Sequence, residues 1–168
     1  MKRTVVLGGG ISGVGAAVLA KQKGFEVFVS DKGIIKRNNK EVLLSNDIEW
    51  EEKTHTYKKI LNADQVIKSP GISDQIDLIQ QLNIKKIPVI SEIEFAARYT
   101  KARIAAITGS NGKTTTTLLL GHILKSAGYN VLIAGNIGVS FAFEFSKLDC
   151  EYDYIVLELS SFQLDGIQ

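Results

Sequence analysis

Residues 107–115 read ITGSNGKTT and directly follow the apolar run RIAA at residues 103–106. The run predicts a buried strand, the glycines predict a loop, and residues 114–127 predict a helix. Glycine lets the backbone N–H groups of such a loop turn towards an anion, and the following helix directs its N-terminal dipole at the same point. The pattern therefore predicts an ATP phosphate site formed by Gly109, Ser110, Asn111, Gly112, Lys113, Thr114 and Thr115.

Two catalytic residues are expected around this loop, Lys113 and Glu158. Lys113 supplies a positive charge for the β- and γ-phosphates, and the Thr114 hydroxyl is placed to bind Mg²⁺. Glu158 ends the apolar run YIVLE, where a parallel sheet would bring a second oxygen ligand for this ion. The loop is a compact G-x-x-G-K-T form, because Ile107 stands where the eight-residue pattern has glycine. The alternative for the loop is a glycine turn with a surface lysine. The alternative for Glu158 is a solvated carboxylate without a ligand.

A second glycine pattern, G-x-G-x-x-G, is formed by Gly8, Gly10 and Gly13 between a predicted strand and a predicted helix. Asp31 ends the next predicted strand, where its carboxylate can accept a hydrogen bond from a ribose hydroxyl. The turn Ser69-Pro70-Gly71 ends another strand at the same sheet edge. This fingerprint indicates a nucleotide site without selecting NAD, because the same geometry binds other nucleotides. A loop without a ligand is the alternative.

Strands and helices are predicted to alternate along the whole chain. The predicted strands are residues 4–7, 26–30, 65–68, 86–90, 103–108, 129–134 and 154–159, with a less regular piece at 48–50. The predicted helices are residues 11–23, 39–45, 73–81, 91–99 and 114–127. Ser91 and Glu94 form a capping box for one of them. This order predicts an α/β protein, in which the strands of residues 1–99 form a parallel sheet covered on both faces.

The break at residues 100–102 divides the pattern into two domains. Residues 1–99 are expected to form a Rossmann-like nucleotide-binding domain, and residues 100–168 the start of an α/β domain with a phosphate loop. The second domain is expected to be incomplete, because a unit of its size buries only about 60% of its unfolded surface.

Composition excludes several classes of protein. The net charge is +2 and the lysines are dispersed, which argues against a nucleic-acid or membrane partner. The single cysteine, Cys150, excludes an intramolecular disulfide and is expected to be an apolar filler. The uncharged run 4–20 contains five glycines, which are poor in the apolar helix of a signal peptide or membrane span. A cytoplasmic protein is expected.

Four segments together resemble the Mur ligases of peptidoglycan synthesis, most closely the members that add D-glutamate. They are VVLGGGISGVG at 5–15, SPGI at 69–72, ITGSNGKTTT at 107–116, and AGNIG at 134–138 with LELSSFQL at 157–164. The resemblance covers the whole chain, and the combination of the last two motifs is specific. Sister ligases differ after the glutamate at the end of the strand.

The resemblance implies a three-domain enzyme that uses ATP and Mg²⁺ and acts as a monomer. Such an enzyme phosphorylates the alanyl carboxylate of UDP-N-acetylmuramoyl-L-alanine, and the amine of D-glutamate then attacks the acyl phosphate to form an amide. It implies that Thr114 and Glu158 bind Mg²⁺. The residues implied to bind the UDP substrate are Ser12, Gly13, Asp31, Lys32, Ser69, Pro70, Gly71, Asn136 and Ser160. A histidine, a modified lysine and a C-terminal domain of the family would follow later, so this chain alone is expected to be inactive.

Three other functions stay open. Another Mur ligase or a folylpolyglutamate synthetase would keep the phosphate loop but should lack SSFQL after Glu158. An NAD-dependent oxidoreductase would explain residues 1–31 but leaves the second phosphate loop without a role. A non-enzymatic module that binds uridine nucleotides would fit if these residues were the whole natural product.

Overall fold

The computed structural model describes residues 1–137, 139–147 and 151–164 of the chain. The first five strands form a parallel sheet in the order β3-β2-β1-β4-β5. They are β1 (Arg3–Leu7), β2 (Glu26–Ser30), β3 (Glu49–Glu51), β4 (Gln65–Lys68) and β5 (Val89–Ser91). The helices among them are α1 (Ile11–Gln22), α2 (Arg37–Ser45), α3 (Tyr57–Ile60), α4 (Asp77–Ile84) and α5 (Glu92–Ala97). The strand order reverses between β1 and β4, and ligands of open α/β sheets bind at such a point.

The later strands form a second parallel sheet in the order β6-β8-β7. They are β6 (Arg103–Ile107), β7 (Val131–Gly135) and β8 (Tyr154–Glu158). The helices that accompany them are α6 (Lys113–Ser126), α7 (Phe141–Ser146) and α8 (Ser161–Leu164). Because β8 is central, Glu158 lies opposite Ile107 on one side and Gly135 on the other. The predicted α/β class with parallel sheets is confirmed.

Alternate residues of β1 pack into different apolar clusters on the two faces of the first sheet. Val6 packs in the cluster that contains residues of α1 and α5. Val5 and Leu7 pack with residues of α3 and α4 on the other face. Strands that are buried on both faces are typical of parallel sheets. The predicted cover on both faces is therefore confirmed for this sheet.

The second sheet is less covered within the part of the chain that the structure describes. Ile104 of β6 is 42% exposed and Leu119 of α6 is 56% exposed. The central strand β8 is nevertheless well packed, with Ile155 and Val156 fully buried. The exposed side chains of this sheet therefore lie on β6 and α6, away from its central strand.

Helix α7 joins the two sheets through apolar packing. Phe141 and Ala142 are fully buried, and they belong to the same cluster as Val6 of β1 and Ile155 of β8. Burial of a phenylalanine side chain contributes roughly 1.5–3 kcal/mol. The two sheets are therefore joined by a continuous apolar core.

Helix α4 begins four residues later than predicted. The Ser73 hydroxyl accepts a hydrogen bond from the Gln75 amide at 3.2 Å, and the chain turns there before the helix begins at Asp77. A serine that bonds to a nearby amide can favour a turn over a helix.

Strand β5 was predicted to begin at residue 86, but it begins at Val89. Lys86 has a φ of 57°, which is incompatible with a strand. The Ile87 amide donates to the Leu82 carbonyl oxygen and the Lys86 amide to that of Asn83, the pattern that closes a helix with a left-handed residue.

The glycine-containing run at residues 4–20 forms most of β1 and α1, and its strand residues Val5 and Val6 are fully buried. Among the described residues, no helix combines the length and apolar character needed to cross a membrane. Helices α3, α7 and α8 were not predicted from the sequence. Gly138 of the AGNIG motif and Cys150, expected as an apolar filler, lie outside the described residues.

Candidate functional site

The glycine loop between β6 and α6 presents the N-terminus of a 14-residue helix to solvent. Gly109 has a φ of 150° and Gly112 a φ of 74°, backbone angles that favour glycine over other residues. Gly112 is the N-cap residue of α6. The Lys113 ammonium donates a hydrogen bond to the Gly109 carbonyl oxygen at 2.7 Å. The loop therefore combines an exposed helix N-terminus with a lysine held directly beside it, an arrangement suited to phosphate.

Glu158 links the glycine loop to the loop that follows β7. Its side chain is buried, at 3% exposure. The Thr114 hydroxyl donates to Glu158 Oε2 at 2.7 Å, and the Asn136 side-chain amide donates to Oε1 at 3.0 Å. The Asn136 backbone amide also donates to the Glu158 carbonyl oxygen at 2.8 Å. Three residues that the sequence analysis selected from separate segments thus lie in one cluster.

The chemistry of this cluster fits a hard divalent cation that shares phosphate ligands. Thr114 and Glu158 present a hydroxyl and a carboxylate oxygen within hydrogen-bond distance of each other. Mg²⁺ in nucleotide sites often takes one or two protein oxygens and completes its shell with phosphate and water. Among the described residues, no group of three His, Cys, Asp or Glu side chains is placed to hold a metal.

The turn after β1 is shaped by Gly8 and Gly13. Gly8 has a φ of 98°, and a Cβ added at Gly13 would lie 1.8 Å from the Gly8 carbonyl oxygen. Only glycine at position 13 lets α1 approach the turn so closely. Ser12, predicted to bind the UDP substrate, is half-buried in the first turn of α1. The structure therefore gives Gly13 a packing role, and its predicted contact with a ligand stays a prediction.

Asp31 organises the same turn from the end of β2. Its Oδ2 accepts from the Gly9 amide at 2.5 Å, and its Oδ1 accepts from the Gly33 amide at 2.7 Å. Each carboxylate oxygen can accept a further bond, so the predicted contact with a ribose hydroxyl stays possible. Lys32, the next predicted residue, is exposed.

Ser69 contributes a polar atom without a hydrogen-bond partner within the described residues, since its Oγ is buried and unpaired. This oxygen lies 2.5 Å from the position of a Cβ added at Gly8 and 3.3 Å from one added at Gly13. A buried hydroxyl without a partner costs free energy, so such a group is expected to bond to a ligand or to water. The predicted residues Ser69 and Gly13 are therefore together at the switch point of the sheet.

Pro70 and Gly71 line a cleft of about 540 Å³ next to Ser69. The cleft lies between the end of the first sheet and α8, because Ser91 and Phe162 also line it. A volume of this size is in the range of small-molecule sites. None of residues 109–115 lines this cleft.

Ser160 is engaged in the start of α8. Its amide and its hydroxyl both donate to Gln163 Oε1, at 3.0 and 3.1 Å. This is one half of an S-x-x-Q capping box, because the Gln163 amide donates to the Ser160 carbonyl oxygen and not to the hydroxyl. Buried Gln163 was not predicted as a site residue, although its spacing from Ser160 was a visible signal. The predicted contact of Ser160 with a substrate stays a prediction.

Glu92 is a buried carboxylate that the sequence analysis also missed. Its Oε1 accepts from the Ser140 hydroxyl at 2.8 Å and from the Ala142 amide at 2.5 Å. Burial raises the pKa of Glu92, although these two hydrogen bonds oppose that shift. The predicted N-cap next to it is confirmed, because Ser91 Oγ accepts from the Glu94 amide at 3.0 Å. In sequence, Glu92 has the ordinary appearance of an acid in the first turn of a helix.

Comparisons with known proteins agree with this arrangement. Residues 5–78 match the family described as the MurD N-terminal domain, and residues 107–168 match the Mur ligase middle domain. Proteins named UDP-N-acetylmuramoylalanine–D-glutamate ligase are 59% identical in Bacteroides thetaiotaomicron and 58% identical in Bacteroides fragilis strain ATCC 25285. Each alignment covers 99% of this chain and 37% of the relative. A murein peptide ligase from Psychrobacter arcticus has the same fold, with a TM-score of 0.62 and 22% identity over 95% of this chain and 38% of its own.

Proposed function

Since the chain belongs to the Mur ligase family, we propose that it forms the nucleotide-handling part of an ATP-dependent ligase of peptidoglycan synthesis. The substrates of the whole enzyme are UDP-N-acetylmuramoyl-L-alanine and D-glutamate. The chain spans 37% of the length of the similar curated relatives, and their printed name supports this choice of substrates. Residues 1–99 form the UDP-binding domain, and residues 100–168 form part of the central ATPase domain.

The observation that carries this proposal is the cluster of Thr114, Asn136 and Glu158 beside the glycine loop. It joins a helix N-terminus, a lysine, a hydroxyl and a carboxylate at one sheet edge. We assign the phosphates of ATP to residues 109–115, with Lys113 against the β- and γ-phosphates. Thr114 and Glu158 would hold Mg²⁺, which supplies positive charge to the phosphates when bound.

The proposed reaction has two steps. The alanyl carboxylate attacks the γ-phosphorus of ATP, and ADP leaves as the bond to the bridging oxygen breaks. The D-glutamate amine then attacks the carbonyl carbon of the resulting acyl phosphate. The amide forms as inorganic phosphate leaves and the amine loses a proton. Lys113 and the loop amides stabilise the negative charge on the phosphoryl oxygens during the first step. Their role depends on fixed positions, because phosphoryl transfer gains mainly from positioning and electrostatics.

The UDP substrate is assigned to the edge of the first sheet. Ser12, Gly13, Asp31 and Lys32 approach the uridine diphosphate, and the turn Ser69-Pro70-Gly71 closes over it. The unpaired Ser69 Oγ supports this assignment, because a diphosphate or ribose oxygen would satisfy it. Asn136 and Ser160 face the muramoyl-alanine portion, which has to reach the phosphate loop.

The proposed ligase function includes a cellular location and an oligomeric state. The reaction takes place in the cytoplasm, and the enzyme acts as a monomer without a nucleic-acid or membrane partner. Residues 4–20 belong to the folded core as a buried strand and helix, so this segment is not itself a signal peptide.

Calorimetric titration of the chain with UDP and with NAD⁺ tests the assignment of the first sheet. We expect UDP to bind more tightly, because a ligase of this kind needs a uridine diphosphate site and no hydride carrier. Tighter binding of NAD⁺ would contradict the proposal and favour an oxidoreductase. Phe162→Ala is a control for nonspecific contact within the cleft, since that side chain is 73% exposed.

A further inference from the structure

We propose that Glu92 is a positioning residue that fixes the UDP edge of the first sheet relative to Asn136 and Glu158 in the second. The inference rests on the proposed function, because it gives a role in phosphoryl transfer to the joint between the two nucleotide regions. This joint is the contact of Glu92 with Ser140 and Ala142. Glu92 begins α5 in the first sheet region, whereas its hydrogen-bond partners begin α7, which follows β7 of the second.

The contacts of Glu92 hold the start of α7 at two points. Its Oε1 accepts from the Ser140 hydroxyl and from the Ala142 amide. Ser140 Oγ in turn accepts from the Phe143 amide at 3.1 Å, which makes Ser140 the N-cap of α7. A change at Glu92 would therefore act on the cap and on the first turn of α7 together.

Helix α1 reaches the same point from the first sheet. A Cβ added at Gly15 would lie 2.3 Å from Ser140 Oγ and 2.8 Å from Phe143 Cβ. Glycine at position 15 therefore allows α1 to touch the start of α7. Since α1 begins at the turn that we assign to the uridine diphosphate, the first sheet contacts Ser140 through two elements, α1 and α5.

Asn136 and Ser140 connect the contact at Glu92 with the cluster that we assign to ATP. At the first residue of the segment 136–140, Asn136 is bonded to Glu158 through both its side chain and its backbone amide. At the last residue, Ser140 is bonded to Glu92. Between these ends, the Gly135 amide donates to the Val139 carbonyl oxygen at 3.3 Å, and the Val139 amide donates to the Ile137 carbonyl oxygen at 2.6 Å. The position of Asn136 therefore depends on the bond between Ser140 and Glu92.

A buried acid is a costly way to make this joint, which argues for a role beyond packing. Glu92 is 3% exposed, and no lysine, arginine or histidine forms an ion pair with it within the described residues. Its neighbours at the joint, Phe141 and Ala142, are fully buried. An apolar residue could fill the space, but it could not accept from both the Ser140 hydroxyl and the Ala142 amide. The two hydrogen bonds of the carboxylate fix the orientation of the start of α7, which apolar packing alone would not do.

The test compares Glu92→Ala, Glu92→Gln and Glu92→Asp in a protein of the full length of the relatives. Glu94→Gln is the matched control, because Glu94 lies on the same helix and pairs with Arg98. We expect Glu92→Ala to lower kcat at least tenfold while the Kd for UDP changes less than threefold. Glu92→Gln keeps an acceptor oxygen and should stay within threefold of wild type in kcat, with Glu92→Asp between the two.

Hydrogen exchange of the α7 amides separates this inference from the proposed function. Glu92→Ala should speed exchange at Ala142 and Phe143 at least tenfold, whether or not the protein is a ligase. An absence of D-glutamate-dependent turnover in the wild type would contradict the proposed function and therefore the positioning role, even with this exchange result. Unchanged exchange in Glu92→Ala, or a kcat within twofold of wild type, would overturn the inference. If Glu92→Ala does not fold, Ser140→Ala removes the same side-chain bond and is judged by the same limits.

Discussion

Thr114 and Glu158 lie 44 positions apart in the chain, yet the Thr114 hydroxyl donates to Glu158 Oε2 at 2.7 Å. The contact arises because β6 and β8 are adjacent parallel strands, which place the loop after β6 beside the last residue of β8. The fold itself thus holds the hydroxyl and the carboxylate in position. Such preorganisation lowers the cost of arranging charges around a transferring phosphoryl group.

Lys113→Ala should abolish turnover in the full-length protein while leaving UDP binding intact. On the proposed assignment, the lysine acts on phosphates whose charge changes during transfer, so its loss should fall mainly on the transition state, by roughly 10²–10³-fold in kcat. Steady-state kinetics with a parallel UDP titration measures both effects. Lys125→Ala, near the other end of α6, is the control. A near-normal kcat in Lys113→Ala would mean that the phosphate loop is assigned wrongly.

Asp31→Ala should weaken UDP binding by roughly 1.5–3 kcal/mol, the range for a hydrogen bond to a charged group. The loss would include the order of the turn, because Asp31 also accepts from the amides of Gly9 and Gly33. Calorimetric titration of the variant with UDP checks this value. An unchanged Kd would show that Asp31 shapes the turn without contributing to the affinity for UDP.

Gly13→Ala should destabilise the fold by about 1–3 kcal/mol or more, because the new Cβ would overlap the Gly8 carbonyl oxygen. Gly10→Ala is the matched control in the same motif. A Cβ at Gly10 meets nothing within 4 Å, and its φ of −76° suits any residue. Denaturant unfolding of both variants gives the comparison. Equal stability of the two would contradict the packing role of Gly13.

Glu92 should make stability fall as the pH rises. Its folded pKa is raised above the ordinary value of 4.5 by burial, so the folded state keeps this proton after the unfolded state has lost it. The contribution is fully present below pH 4.5 and is lost as the pH rises through the raised folded pKa. The free energy of unfolding of wild type minus that of Glu92→Gln should therefore decrease over this window. A difference that stays constant or increases would contradict the raised pKa.

The glycine loop after β6 and the position of Glu158 at the end of β8 could be predicted because each is a local pattern at the end of an apolar run. Parallel strands bring their carboxyl ends to one edge, so local patterns were enough to place Thr114 beside Glu158. The bond between Glu92 and Ser140 could not be found in this way. It joins residues 48 positions apart through the packing of α5 on α7, and no spacing in the sequence marks it.

The errors in element boundaries have local causes. Ser73 binds the Gln75 amide and delays α4, and Lys86 takes a left-handed conformation that sequence patterns assign mainly to glycine. The short helix α7 was missed because its buried Phe141 and Ala142 pack between the sheets, without the periodicity of an amphipathic helix.

Release of inorganic phosphate by the full-length protein tests the central claim most directly. The assay contains ATP, Mg²⁺, UDP-N-acetylmuramoyl-L-alanine and one amino acid at a time. We predict phosphate release that requires D-glutamate and the uridine substrate together, with one amide formed for each phosphate. Phosphate release that needs neither substrate, or that responds to another amino acid in place of D-glutamate, would contradict it.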